Sequence, residues 1–125
     1  MKILNRVILV GALGVVVTTP VNAASSDGYY TVYGFGAKTC EYVNEFIQKN
    51  GVSSYGAIDS YVSGYLSATN QLTEGVDDIS GDLQPRQAMR KVLDYCDQNP
   101  GVTFQEAIAD FVKRRATSLI IHDHK

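Results

Sequence analysis

Two cysteines, Cys40 and Cys96, sit far apart in a chain of 125 residues. A cysteine in such a place can be a nucleophile, a metal ligand or half of a cross-link. The choice depends on where the chain resides. It begins MKILNRVILVGALGVVVTTPVNA. Lys2 and Arg6 form a charged start, Val7 to Val17 is an uncharged apolar run, and Val21-Asn22-Ala23 offers small residues for cleavage. This is the pattern of a secretory signal peptide over residues 1–23, expected to be removed. The apolar run is short for a membrane span, which takes about 20 residues. An even cysteine count in an exported chain reads as a disulfide. By the chain-entropy argument, closing so long a loop contributes roughly 4 kcal/mol, a large share of the ~5–15 kcal/mol typical of a whole domain. The catalytic alternatives lack partners. A thiol nucleophile wants a nearby base, and the two histidines, His122 and His124, lie at the extreme end. A redox pair wants Cys-x-x-Cys.

The rest divides into one small domain of roughly 100 residues. The chain carries 11 Lys+Arg and 13 Asp+Glu. Without Lys2 and Arg6 the mature part has 9 cations against 13 acids, a net charge of −4. That balance argues against nucleic-acid binding, which calls for a basic patch or stripe. No second apolar run is long enough to span a membrane. The expected location is the periplasm.

Residues 24–38 include DGYYTVYGFGAK. Glycine discourages helix and aromatics suit extended chain, so this is read as an irregular aromatic arm that packs across the domain or grips a partner. Residues 39–117 read as helices. Thr39 caps a first helix over about 39–49, with Cys40, Val43, Phe46 and Ile47 on one face and Asn50-Gly51 as its stop. A second, over about 55–73, repeats Ile58, Tyr61, Val62, Tyr65, Leu66, Thr69 and Leu72 at helical spacing. Its Gly64 and Ser67-Ala68 would let a neighbouring helix come close. The acidic stretch EGVDDISGD at 74–82 reads as a loop without the spacing of a calcium site. Asp82 or Gln84 with Pro85 opens a third helix whose face is Ala88, Met89, Val92, Leu93 and Cys96, and Asn99-Pro100-Gly101 ends it. Thr103-Phe104-Gln105-Glu106 is a capping box for a fourth, with Phe104, Ala107, Ile108, Phe111 and Val112 inward and Lys113-Arg114-Arg115 near its end, where the helix dipole favours cations. Residues 118–125 are set apart as a tail, whose His122-Asp123-His124 has metal-binding residue types but no preorganised frame. The fold class is all-α, a small four-helix domain with one disulfide.

No reactive constellation stands out. Gly34-Phe35-Gly36 is too short for a phosphate loop. No internal histidine is available for proton work near neutrality. Carboxylates alone can act as acid and base, but Asp59, Asp94 and Asp110 equally fit exposed helix flanks. The expectation is a protein that is not an enzyme and uses no cofactor and no metal.

Lys38-Thr39-Cys40-Glu41 opening one helix and Val92-Leu93-Asp94-Tyr95-Cys96-Asp97-Gln98-Asn99-Pro100 closing another resemble the HdeA/HdeB family of periplasmic acid-stress chaperones over roughly 39–113. The resemblance implies a small helical domain, usually a homodimer, that idles at neutral pH. Acid then loosens it and exposes apolar surface to unfolding protein clients. Carboxylates titrate near ~4, so the acid triggers implied are Glu74, Asp77, Asp78, Asp82, Asp94 and Asp97. The implied protein-binding surface is Tyr61, Tyr65, Leu66, Phe104 and Phe111. The Gly-Tyr segment Tyr61-Val62-Ser63-Gly64-Tyr65-Leu66-Ser67-Ala68 looks more like a related group of exported, disulfide-bonded helical proteins. Some of those are immunity proteins that block a secreted toxin at neutral pH. The alternative is therefore a binder of one dedicated periplasmic partner.

Overall fold

Thr39 starts the ordered helices as its sequence directs. Its hydroxyl accepts from the Tyr42 backbone N–H at 3.2 Å, and α1 runs Cys40–Asn50. The computed structural model describes residues 27–123, which fall in two units. Residues 27–30 belong to the first, where Asp27 and Gly28 make a turn with Gly28 at φ 80°. Thr31 onward is the second unit, and everything below concerns it. The signal-peptide reading of 1–23, the first three residues of the arm and His124 lie outside the described residues.

Gly51, at φ 59°, joins α1 directly to α2, Val52–Leu72. The sequence reading starts this helix near 55. It starts at Val52 because the Ser53 and Ser54 hydroxyls donate to the Asn50 and Gly51 carbonyls, at 2.7 and 2.6 Å, and so tie the last turn of α1 to the first of α2. After a loop, α3 spans Pro85–Gln98, with Pro85 in its first turn where a missing N–H costs nothing. The Gln84 N–H donates to Gln87 Oε1 at 2.8 Å. The last helix, α4, covers Phe104–Asp123, and its capping box forms: Thr103 N–H donates to Glu106 Oε2 at 2.7 Å, and Glu106 N–H to Thr103 Oγ1 at 3.2 Å. The four helices are all-α as expected, with no strand among the described residues beyond a single bridge of Thr39 to Thr103.

Two further expectations fail. Residues 118–123 are helical, not a tail, because no glycine or proline interrupts Ala116 to Asp123, and Leu119 packs against the core. The small face of α2 meets no neighbouring helix. A methyl added at Gly64 would find open space, and Ser67 and Ala68 are exposed. The buried stripe of α2 lies instead along Ser54, Ile58, Val62 and Leu66.

The core joins that stripe to Cys40 and Val43 of α1, Ala88, Met89, Val92 and Cys96 of α3, and Phe104, Ala107, Ile108 and Phe111 of α4. Burying Phe104 or Ile108 fully contributes about 1.5–3 kcal/mol each. Cys40 and Cys96 form the disulfide, with Cα atoms 4.9 Å apart. Around it the free N–H groups of the α1 start find loop carbonyls: Cys40 N–H donates to Val102 at 2.8 Å and Glu41 N–H to Pro100 at 2.9 Å, while Phe104 N–H donates to Lys38 at 2.8 Å. One corner of the molecule is thus stitched by backbone and sulfur together.

The last part of the arm is ordered. Gly34–Ala37 makes one 3-10 turn. Phe35 stacks on Phe46 with ring centroids 5.1 Å apart, and buried Gly36 lies so close to the Tyr61 hydroxyl that a methyl there would collide with it.

Candidate functional site

Loop 73–84 carries most of the acids singled out above, and it does more than connect α2 to α3. Ile79, at its centre, is fully buried. A loop that sends an isoleucine into the core must satisfy its own polar backbone, and here side chains do this. Asn70, near the end of α2, accepts the Ile79 N–H at 2.7 Å through Oδ1 and donates through Nδ2 to Asp78 Oδ1 at 3.4 Å. Asp78 Oδ1 also accepts from the Ser80 backbone N–H at 2.9 Å and the Ser80 hydroxyl at 2.6 Å. From the other side Arg115 of α4 donates through one terminal guanidinium nitrogen to the Ser80 carbonyl at 2.9 Å and to Asp82 Oδ1 at 3.2 Å. Gly81 makes that approach possible. It stands at φ 60°, and a methyl on it would run into the Arg115 guanidinium. Arg115 Nε is buried without a hydrogen-bond partner among the described residues.

The loop is therefore latched to α2 by Asn70 and to α4 by Arg115, and Asp78 is the common acceptor on the α2 side. Its carboxyl is held below the usual carboxylate range, chiefly by the Ser80 hydroxyl, with further help from the Ser80 backbone, Asn70 and the nearby Arg115 charge, against a smaller opposing effect of burial. Hydrogen bonds to a charged carboxylate favour that form. Because the folded pKa is depressed, the latch contributes stability above the ordinary value of about 4 and loses it as pH falls through the folded value. Glu106 behaves in the same direction: the Thr103 N–H and hydroxyl that it accepts hold it low.

The other acids named from the sequence occupy different settings. Glu74 and Asp77 are exposed in the same loop, as Asp78 is, but take no part in the latch. Asp82 pairs with Arg115, but its side chain is 89% exposed, and an open pair of that kind contributes ~0–1 kcal/mol. Asp94 and Asp97 lie on α3, away from the loop, and Asp97 accepts from Asn44 Nδ2 at 3.0 Å.

The residues named as a protein-binding surface are largely interior. Phe104 is fully buried, and Leu66 and Phe111 nearly so. Tyr61 and Tyr65 are half-buried. Tyr61 serves the arm: its ring lies 6.0 Å from Phe104 and its hydroxyl meets Gly36. Burial pushes its phenol up, partly countered by the hydrogen bond to the Gly36 backbone. The helical periodicity that marked these five as apolar also places them in the core, so they become a surface only when the helices separate. What is exposed is a different set: Tyr33, Tyr42, Val52, Tyr55 and Leu72.

Asn70, Ser80, Arg115 and Glu106 were not singled out as site residues from the sequence. Only Glu106 carried a local signal, its capping box. The others meet through packing of α2, the loop and α4. Among the described residues no group of three or more His, Cys, Asp or Glu side chains could hold a metal ion, and no helix is long and apolar enough to cross a membrane. Comparison with protein-family models, curated proteins and solved structures finds no match.

Proposed function

We propose that this is an exported, periplasmic acid-activated holdase, a protein that folds at neutral pH and offers apolar surface to unfolding clients when its carboxylates protonate. The observation that carries this reading is the Asp78 latch. A carboxylate with a depressed pKa organises the loop whose isoleucine is buried in the core, so protonation weakens the charged acceptor that orders Ser80 and works together with Asn70. Release of Ile79 would open the buried cluster to which Leu66, Phe104 and Phe111 also belong. The disulfide supports the same reading twice. It suits an oxidising compartment, and it would hold α1 to α3 while the loop opens, so that the loosened state stays compact and can refold. The resemblance of the two cysteine contexts to acid-stress chaperones points the same way.

The test is an acid titration of the mature, disulfide-intact protein, followed by near-ultraviolet circular dichroism and hydrophobic-dye binding, then neutralisation. The reading requires reversible loss of tertiary signal with dye uptake in the range where carboxylates protonate, below about pH 5, together with suppression of aggregation of an acid-unfolded client. A fold that stays intact and dye-free to pH 2 sinks it. A second reading, a neutral-pH binder of one dedicated partner such as a secreted toxin, is favoured by exposed Tyr33 and Tyr42, with Lys38 set 5.2 Å over the Tyr42 ring. That surface is available without any loosening, and the acid-resistant outcome would favour it.

A further inference from the structure

Most of the described chain meets the core through helices. Residues 31–37, Thr-Val-Tyr-Gly-Phe-Gly-Ala, meet it as a strap laid across the outside. No residue in the strap carries a charge. None of its side chains is fully buried: Val32 and Phe35 are half-buried, and Thr31, Tyr33 and Ala37 are exposed. The Gly34–Ala37 turn has no side-chain cap at its start. Only at its far end is the strap pinned. There the Lys38 carbonyl accepts from the Phe104 N–H at 2.8 Å, and Cys40 of the disulfide follows two residues on. Segments with little buried surface and few hydrogen bonds are those that open locally while the rest stays folded. The strap has that character up to Lys38.

The surface beneath it suits a segment of this kind. Phe46 of α1 receives the Phe35 ring, with centroids 5.1 Å apart, the separation of a favourable aromatic pair. Tyr61 of α2 meets the glycines on either side of Phe35. A methyl added at Gly34 would stand 3.7 Å from the Tyr61 ring, and one at Gly36 would overlap its hydroxyl, which also hydrogen-bonds the Gly36 backbone. The Tyr61 ring lies in turn 6.0 Å from that of Phe104. This surface therefore accepts an aromatic side chain between two glycines: the ring goes to Phe46, and backbone bare of Cβ lies against Tyr61. Nothing in that recognition requires the segment to belong to the same chain.

We propose that residues 31–37 are the internal occupant of a polypeptide-binding site formed by Phe46 and Tyr61. The strap swings out about Lys38 and admits an extended segment of another chain in which an aromatic residue stands between glycines. This rests on the reading of the protein as a binder of polypeptide and names the segment bound. A site filled by its own strap binds an outside segment more weakly, in proportion to the fraction of molecules that stand open.

The experiment uses the mature, disulfide-intact protein at neutral pH and a fluorescein-labelled peptide of sequence TVYGFGAK, read by fluorescence anisotropy, with circular dichroism on every variant to confirm folding. Gly36→Ala expels the strap by its clash with Tyr61. Phe35→Ala releases it by removing the ring, and serves where the first variant does not fold. Either should bind the peptide roughly tenfold or more tightly than the wild type, whose site is occupied. Phe46→Ala added to Phe35→Ala should abolish the gain, and a scrambled peptide should not bind. Equal affinity in the wild type and the folded released variants, a gain that survives the loss of Phe46, or a scrambled peptide that binds as well would each overturn the proposal. These outcomes separate from those of the holdase reading. A protein that loosens reversibly in acid while its released variants take up no peptide overturns the strap alone. One that stays closed to pH 2 while its released variants bind the peptide overturns the holdase alone.

Discussion

The disulfide corner and the 73–84 loop close the same core by opposite means. At the corner, Cys40–Cys96 and the backbone bonds linking Lys38, Cys40 and Glu41 to Pro100, Val102 and Phe104 contain no group that titrates in acid. In the loop, Ile79 is kept in place through Asp78, Asn70, Ser80 and Arg115, and the central acceptor is a carboxylate. The comparison teaches where pH can act. Acid cannot cut the disulfide, although it should loosen the Glu106 cap on Thr103 beside it, and it should weaken the loop, so the molecule should open at the loop while remaining tethered by the cross-link. A domain closed at both ends by apolar packing would lack that asymmetry.

The largest effect should come from destroying the insensitive closure. Cys40→Ala with Cys96→Ala removes roughly 4 kcal/mol by the chain-entropy argument, and thermal melts should show a much lower midpoint at neutral and acid pH alike. A loss confined to low pH would contradict the division drawn here. Next comes Ile79→Ala, which takes the plug from the loop without touching its charges. A buried isoleucine truncated to alanine costs about 2–5 kcal/mol, and the variant should bind hydrophobic dye at pH values where the wild type does not.

Asp78→Asn sharpens the comparison further. It keeps an oxygen acceptor for Ser80 but removes the charge and the titration. The variant should be less stable at neutral pH, because the depressed pKa marks stabilisation of the charged form. Since that contribution is lost as pH falls through the folded value, wild type and variant stability curves should converge in strong acid. Parallel curves across the whole range would show that Asp78 is not what acid acts on. Smallest of all should be Arg114→Ala. Its pair with Asp110, at 2.6 Å, is an exposed contact one turn along α4, and such pairs contribute ~0.3–0.5 kcal/mol. Chemical denaturation should show a change at the edge of detection, in contrast to Arg115→Met, one residue on, which removes the tie to Ser80.

Much of the architecture was legible in the residues. Thr39 and the Thr103-to-Glu106 box announced two helix starts, Pro85 a third, and Gly51 and Asn99-Pro100-Gly101 the stops. These are local rules, satisfied within a turn of backbone. The apolar spacings of α1, α3 and α4 named most of the core for the same reason. The stripe Gly64, Ser67, Ala68 misled, since small size permits close packing without requiring it, and Tyr61 looked like surface until Gly36 was seen beneath its hydroxyl. The end of α4 lies beyond the expected one because the cations Lys113, Arg114 and Arg115 read as its last turns, although nothing after them breaks a helix.

By itself, the sequence determined the helices, their caps and the pairing of two cysteines, because each depends on residues close along the chain or on simple counting. Only the tertiary structure decided which acids matter. Six carboxylates were equal candidates along the chain, and composition could not rank them. Asp78 stands apart because α2 brings Asn70, and α4 brings Arg115, to the same short loop. A carboxylate's response to acid is set by the donors and charges packed around it in space.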